Sequence, residues 1–441
     1  MISVTRAVSF GLWLIALEAL GAQSAGASYP LRDAVAFNGR DDLPNFFSKL
    51  NDGGKVKIAY LGGSITEQPG WRVKSRIGFQ AEFPKAQVEE INAAIGGTGS
   101  ELGVFRVGSD VLEKEPDLLF VEFAVNDRGA APDAIRKAME GIIRKTWKAR
   151  PDCDICFIYT VTKDDIEGLK AGKMTRSESV MEEVADHYGI SSINLGIGIA
   201  RLERDGKLVM SGSHRDAGSG DILKAPEHTS ANNQAPIVFS RDGIHPYLDT
   251  GHSLYAMAIS RAMESIRWMG KPGSHELAAP LDRDNWEEAA MFALDQGGSL
   301  EGEVTKLDPA RDGLAAKFGS RVPGLWEMRP GATLRFKFKG SKAAIYDVMG
   351  PDCGFVEVTL DGNSQKVARF DSYSTCHRLS VLKIGDNLEE KEHEVRISVL
   401  SDHVDKDHLV PEAGRKDVKE SSAKYEGSNW YAGAILLVGN L

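Results

Sequence analysis

The sequence predicts an α/β fold followed by an antiparallel β-sandwich of the jelly-roll kind, and three observations carry that expectation. From Val56 to about Gly270, near-continuous apolar runs alternate with segments of helical period, as in a parallel sheet covered by helices on both faces. The texture then breaks at Lys271-Pro272-Gly273. Further on, apolar and polar residues alternate strictly in short runs separated by turns, the period of half-buried antiparallel strands.

Taken in order, the chain begins with Arg6 and an apolar run from Ala7 to Leu20, interrupted only by Ser9, Gly11 and Glu18, and small residues follow to Ala25-Gly26-Ala27. This reads as a secretory signal over residues 1–27 with cleavage before Ser28, which places the mature protein outside the cell or in a periplasm. The competing reading, an uncleaved anchor, is disfavoured because the run is short for a span. No other stretch reaches about 18 apolar residues, so no membrane span is expected after cleavage.

Residues 28–272 are then expected to form the α/β domain. Its strand candidates are Val56–Leu61, Val88–Ile95, Leu118–Ala124, Cys156–Val161 and Ser191–Leu195. A helix after Pro132 carries Ile135, Met139, Ile142, Ile143 and Trp147 on one stripe, and a last helix from about Leu254 carries Met257, Ala258, Ala262 and Ile266. A linker over 273–295, with an amphipathic stretch from Trp286 to Leu294, leads into the sandwich over 296–441. There Leu334, Phe336 and Phe338 alternate with cations, and Val356, Val358 and Leu360 alternate with polar residues ahead of a turn at Asp361-Gly362. Val395, Ile397 and Val399 repeat the rhythm, and Ala434–Val438 reads as a buried closing strand.

Composition narrows the function classes. The chain has 441 residues, 42% of them hydrophobic, and a net charge of -10, which argues against wholesale binding of nucleic acid or anionic lipid. The cysteines are Cys153, Cys156, Cys353 and Cys376. In an exported chain a bridge between Cys353 and Cys376 is expected, whereas Cys153 and Cys156 read as a local disulfide or as two buried thiols. A cysteine-based zinc site is not expected, and no metal is assigned to the acidic and histidine-bearing loop Asp402–Gly427, whose charges read as solvated.

Four short blocks carry the chemistry. LGGSIT places Ser64 directly after a strand, where two glycines permit a tight turn beyond the carboxyl end of the sheet. A phosphate-binding turn is the bland alternative, but no P-loop lysine follows, and Leu102 stands where a dinucleotide fingerprint needs glycine. Gly97 and Asn126 each end a later strand candidate, which brings both to the same sheet edge. The N–H groups of Ser64 and Gly97 and the Asn126 amide can then converge on one oxygen as an oxyanion hole. In RDGIHPYLD, Asp242 and His245 are three residues apart, close enough for the carboxylate to orient the imidazole. Together the blocks supply a nucleophile, a base, its orienting carboxylate and three donors.

The ordered blocks resemble those of the SGNH hydrolases, the superfamily that includes the GDSL esterases and lipases, over roughly Val56 to Gly270. The resemblance implies a flavodoxin-like three-layer domain and ester hydrolysis through an acyl-enzyme with no metal or organic cofactor. It assigns the nucleophile to Ser64, the oxyanion donors to Gly97 and Asn126, and the remaining triad members to Asp242 and His245. One departure is visible: the family's first block usually reads GDS, and here Gly63 precedes the serine.

Export together with a β-sandwich points to an acylated carbohydrate as substrate and to O-deacetylation of a polysaccharide or glycan. Trp71 and Arg72, after the Pro69-Gly70 break, are the candidates for the pocket rim; Tyr373, Trp430 and Tyr431 are further stacking candidates, the last two reading better as the start of a core strand. The polar segment Ser211–Pro236 reads as a long loop over the site. A lipase or thioesterase acting on longer chains, an inactive glycan-binding protein, and transfer of the acyl group to a sugar are the alternatives.

Overall fold

The computed structural model describes residues 29–215, 235–267, 270–410 and 412–441. The expected leader and most of the polar segment Ser211–Pro236 lie outside the described residues.

The first sheet contains β1 (Phe37–Asn38), β2 (Lys55–Gly62), β3 (Gln87–Asn92), β4 (Leu118–Glu122), β5 (Asp154–Tyr159) and β6 (Ser191–Asn194) in the spatial order β1-β6-β5-β4-β2-β3. All neighbours among β2 to β6 pair in parallel, and only the short edge strand β1 is antiparallel. Among the parallel strands this is the flavodoxin-like order, whose topological switch lies between β2 and β4. Ser64 follows β2 and Asn126 follows β4, so the two motifs meet there.

The helices are α1 (Pro44–Asn51), α2 (Ser64–Glu67), α3 (Trp71–Glu82), α4 (Ser100–Asp110), α5 (Pro132–Ala149), α6 (Ile166–Lys170), α7 (Arg176–Tyr188), α8 (Gly196–Arg204) and α9 (Gly251–Ile266). Strand residues alternate between two apolar layers. Ala59, Leu61, Leu119 and Val121 pack with Val104 of α4, Met139 of α5 and Val184 of α7. Ile58, Tyr60, Phe120 and Ile158 pack with Phe46 of α1, Trp71 and Phe79 of α3, and Ile259 of α9. Both faces of the sheet are thus covered, which is why its strands read as unbroken apolar runs.

After α9 the chain forms antiparallel strands: β7 (Leu208–Ser211) and β8 (Ile237–Ser240) make a small parallel pair just before it, and β9 (Ala289–Ala293), β10 (Gly298–Glu301), β11 (Val304–Lys306), β12 (Trp326–Met328), β13 (Thr333–Met349), β14 (Phe355–Leu360), β15 (Asn363–Ala368), β16 (Arg378–Gly385), β17 (Lys391–Val399) and β18 (Trp430–Asn440) follow it. The 17-residue β13 joins the two layers of the sandwich: its first half pairs with β10 and β17, its second with β16 and β18. The expected turn at Asp361-Gly362 is a two-residue hairpin between β14 and β15, with φ positive at both residues (49° and 83°).

The sandwich is packed firmly on the α4–α5 side of the first domain. Ala289, Tyr346, Val348 and Leu436 belong to the same apolar cluster as α4 and α5. Lys145 Nζ donates to the carbonyls of Val104 and Ala289, and Lys342 Nζ donates to Glu101 at 2.7 Å.

Two expectations change and one open alternative is resolved. The Cys353–Cys376 bridge is not formed: Cys353 points inward with its Sγ 3.7 Å from the Val348 carbonyl, Cys376 is exposed, and both are free. Cys153 and Cys156 are also free and sit in the two different apolar layers, so they are two buried thiols. Asp402–Gly427 is not one loop but carries short helices at Lys406–Leu409, Glu412–Glu420 and Ser422–Tyr425, whose inner side chains Val410 and Tyr425 pack with Phe370. Among the described residues, no group of three or more His, Cys, Asp or Glu side chains is arranged to hold a metal ion.

Candidate active site

β2 ends at Gly62, where a side chain would meet the Glu122 carbonyl at 2.8 Å and Thr66 Cβ at 2.9 Å, so only glycine lets the strand turn here. Gly63 follows in extended conformation and Ser64 opens α2. The Ser64 hydroxyl donates to His245 Nε2 at 2.8 Å. His245 Nδ1 donates to Asp242 Oδ2 at 2.7 Å, and the other carboxylate oxygen accepts the backbone N–H groups of Ile244 and His245. A carboxylate only accepts, so it fixes the proton on Nδ1 and leaves Nε2 free to take the serine proton. Partial burial works to raise the Asp242 pKa, but the hydrogen bonds from the His245 ring and from these two backbone N–H groups outweigh it and hold the pKa at about 2.

The Asp242–His245 turn is held from behind. Gly243 has φ of +84°, its N–H donates to Ser240 Oγ, and its carbonyl accepts the Lys163 N–H at 2.7 Å from the loop after β5. Asp242 and His245 remain 48% and 37% exposed, so the triad lies open to solvent.

Gly97 adopts φ of +74° with open space around its Cα, and among the described residues its N–H meets no protein acceptor. Gly96 beside it lies close to the candidate nucleophile: a Cβ there would be 3.6 Å from Ser64 Cβ. Asn126 begins a single 3₁₀ turn after β4, and its amide lies against Gly63, where a Cβ would fall 2.0 Å from Asn126 Oδ1. The departure from GDS thus has a steric reason in this chain, because the Asn126 side chain occupies the space a residue larger than glycine would need. Gly63→Ala is expected to displace the Asn126 amide and lower kcat by about 10²–10³-fold, the cost of one oxyanion donor, with KM little changed. Steady-state kinetics on a small acetyl ester measures this.

Trp71 and Arg72 are not at a pocket rim. Both sit in the first turn of α3, which the sequence reading missed because the Pro69-Gly70 break reads as a loop. Trp71 is fully buried and packs edge-on against Tyr60 and Phe120. Arg72, 4% exposed, donates to the carbonyls of Thr66 and Glu67 and pairs with Glu90, so it braces the end of α2 from behind. Of the other stacking candidates, Trp430 is fully buried with its N–H on Asp347, Tyr431 is buried, and Tyr373 is 72% exposed.

His252, fully buried behind the site, accepts the Trp71 N–H through Nδ1 and bonds Gln68 through Nε2. Burial pushes its pKa down to about 3, helped by nearby cationic groups. The folded state therefore holds His252 neutral where the unfolded chain, with an ordinary histidine near 6.5, takes up a proton. Its stability contribution is full above about pH 6.5 and falls as the pH drops toward 3, by at most about 1.4 kcal/mol per pH unit. Denaturant unfolding from pH 7 to pH 4 should show the stability gap between wild type and His252→Asn narrowing as the pH falls; a constant gap contradicts the assignment.

A parallel α/β sheet with a hydrogen-bonded serine, histidine and aspartate at its switch point has the architecture of a serine-dependent ester hydrolase. Residues 60–246 match the GDSL-like lipase/acylhydrolase family and form a domain of that family, which makes the chain a carboxylic ester hydrolase. A comparison with curated proteins returned no match. Among solved structures, a two-domain esterase active on acetylated mannans, crystallised with mannopentaose, superposes with a TM-score of 0.69 at 18% identity, covering 94% of this chain and 99% of its own. The same esterase without that sugar superposes equally well, over 92% and 98%. An acetylxylan esterase from Geobacillus stearothermophilus covers 47% of this chain and 94% of its own at 16% identity, with a TM-score of 0.34. The first two likenesses extend the shared fold across the β-sandwich as well as the hydrolase domain.

Proposed function

We propose that the protein is an exported esterase that removes O-acetyl groups from a polysaccharide or glycan through an acyl-enzyme on Ser64. The observation that carries this reading is the continuous hydrogen-bonded chain Ser64–His245–Asp242, open to solvent, with Gly96 beside Ser64 and Asn126 against Gly63. In the reaction, His245 Nε2 takes the Ser64 proton as Oγ attacks the acetyl carbonyl carbon. The resulting oxyanion is held by the N–H groups of Ser64 and Gly97 and by the Asn126 amide. His245 then returns the proton to the departing sugar oxygen as the ester bond breaks. A water molecule, deprotonated by the same nitrogen, attacks the acetyl-serine, and acetate leaves with Ser64 restored.

Two features favour a short acyl group on a sugar. Among the described residues, His245 and Gly96 lie against Ser64 and the Glu67 carboxylate bonds the Gly96 N–H, a polar setting that favours a short acyl group. Beside Gly97, a cavity of about 220 Å³ opens between the two domains, lined by Thr98, Glu101, Lys342, Arg378, Ser380 and Val381 among others. Its mixed lining suits a sugar ring, which presents both hydroxyls and an apolar face. The fold shared with an esterase whose described substrates are acetylated mannans supports the same reading.

The test is acetate release from a panel of acetylated polysaccharides, with p-nitrophenyl acetate and p-nitrophenyl octanoate alongside, for wild type and Ser64→Ala. Acetate release that needs Ser64, with octanoate a poor substrate, is the expected result. Octanoate turned over as fast as acetate, with no release from any polysaccharide, overturns the carbohydrate reading.

A further inference from the structure

Three acidic side chains surround the candidate oxyanion hole without belonging to the triad. Glu67, at the end of α2, accepts the Gly96 N–H at 3.0 Å, one residue before the donor Gly97. Glu122, at the end of β4 and fully buried, pairs through its backbone with Gly62 at the end of β2, two residues before the donor Ser64. It also accepts the hydroxyls of Thr66 and Thr160, each at 2.8 Å. Asp127, next to the donor Asn126 and 3% exposed, accepts the Ser100 N–H at 3.0 Å, at the start of α4.

The bonds therefore cross from one donor-bearing loop to another segment: α2 to the loop after β3, β4 to α2 through Thr66, and the turn after β4 to the start of α4. A backbone N–H donor one residue along from a fixed N–H has little freedom to swing, and such preorganisation is what makes oxyanion donors effective. Gly96 and Gly99 give the Glu67 and Asp127 carboxylates their room, since a Cβ would lie 2.8 Å from Glu67 Oε2 and 2.1 Å from Asp127 Oδ1, respectively.

We propose that Glu67, Glu122 and Asp127 are positioning residues of the oxyanion hole, Glu67 and Asp127 by accepting a backbone N–H and Glu122 by accepting the Thr66 hydroxyl, so that each sets one donor loop against another segment. The proposal rests on the assignment of Ser64 as nucleophile and of Ser64, Gly97 and Asn126 as donors. What matters in it is the accepting oxygen and not the negative charge, so an amide that keeps one carbonyl oxygen restores the function and a truncation does not.

Glu67 is exposed at the surface, so its variants test the idea with little risk to folding. In p-nitrophenyl acetate hydrolysis, Glu67→Ala should lower kcat about 10- to 100-fold with KM within about threefold of wild type, while Glu67→Gln stays within about threefold in both constants. Both variants should melt within a few degrees of wild type. The buried pair Glu122→Gln and Asp127→Asn should likewise hold most of kcat. Glu67→Ala with unchanged kcat, or Glu67→Gln falling as far as Glu67→Ala, overturns the proposal. Ser64→Ala is run in parallel: if it matches wild type, the nucleophile assignment itself has failed, a result distinct from either outcome for Glu67.

Discussion

Ser64→Ala and His245→Ala should each lower kcat on a small acetyl ester by about 10⁶-fold, and the double variant should be no slower than either single one. The reason is that the two side chains perform one act. The hydroxyl donates to Nε2 at 2.8 Å, so removing the base leaves an undissociated alcohol and removing the alcohol leaves a base with nothing to activate. What survives in all three variants is the contribution of substrate binding and of the donors near Gly97 and Asn126, about 10³-fold above the uncatalysed reaction. Single-variant rates measured above the spontaneous background, followed by the double variant, decide the matter. Losses that multiply show that the two residues act in separate steps and that the hydrogen bond between them is not the catalytic one.

Asp242→Asn is the second large effect, expected at about 10³–10⁴-fold in kcat. The asparagine amide can turn an N–H toward Nδ1, which places the imidazole proton on Nε2, the nitrogen that must accept from Ser64. Because Asp242 is half exposed, water can solvate the imidazolium in part, which places the loss toward the lower end of that range. The pH dependence follows from the carboxylate's pKa of about 2, below its ordinary value near 4. A carboxylate depressed in the folded state stabilises the fold above about pH 4, and that contribution is lost as the pH falls through 2. The carboxylate also stays ionised throughout the range in which the enzyme can be assayed, so the acid limb of kcat/KM should not belong to Asp242. Asp242→Asn should accordingly lower the plateau of the pH–rate profile without removing its acid limb.

The orienting role of Asp242 also accounts for why so much of the site is legible in the chain. Asp242 and His245 are close in sequence, and a turn of three residues with glycine at Gly243 suffices to join them. Ser64 and Asn126 each follow an apolar strand, and the rule that ligands gather beyond the carboxyl ends of parallel strands brings them together before any coordinates are known. In the second domain, period-2 alternation at Leu334, Phe336 and Phe338 marks β13, and the pair Asp361-Gly362 marks the hairpin turn between β14 and β15, because both are local signals.

The misreadings share one physical origin. Trp71 and Arg72 lie close to Ser64 in sequence, and an aromatic and a cation after a Pro-Gly break have the composition of a pocket rim. They instead begin α3, and the helix turns Trp71 into the apolar layer beside Tyr60 and Phe120. No local pattern separates the two outcomes, since both use the same residues and differ only in which way a helix faces. The Cys353–Cys376 pairing fails for a similar reason: even cysteine counts constrain how many bridges can form, not which side chains point toward each other. The carboxylates of Glu67, Glu122 and Asp127 are likewise invisible as a set in the sequence, where they are three acidic residues among 63 Asp and Glu.

By itself, then, the sequence determined the α/β-then-β architecture and the identity of the triad candidates, because these depend on short-range periodicity and on the direction in which parallel strands run. Only the tertiary structure decided that Gly63 must be glycine to leave room for Asn126, that Trp71 is core, and that three acidic side chains tie the donor loops together. Those facts depend chiefly on contacts between segments 27 to 63 residues apart, as between Ser100 and Asp127 and between Gly63 and Asn126, and no local pattern encodes which atoms such segments present to each other.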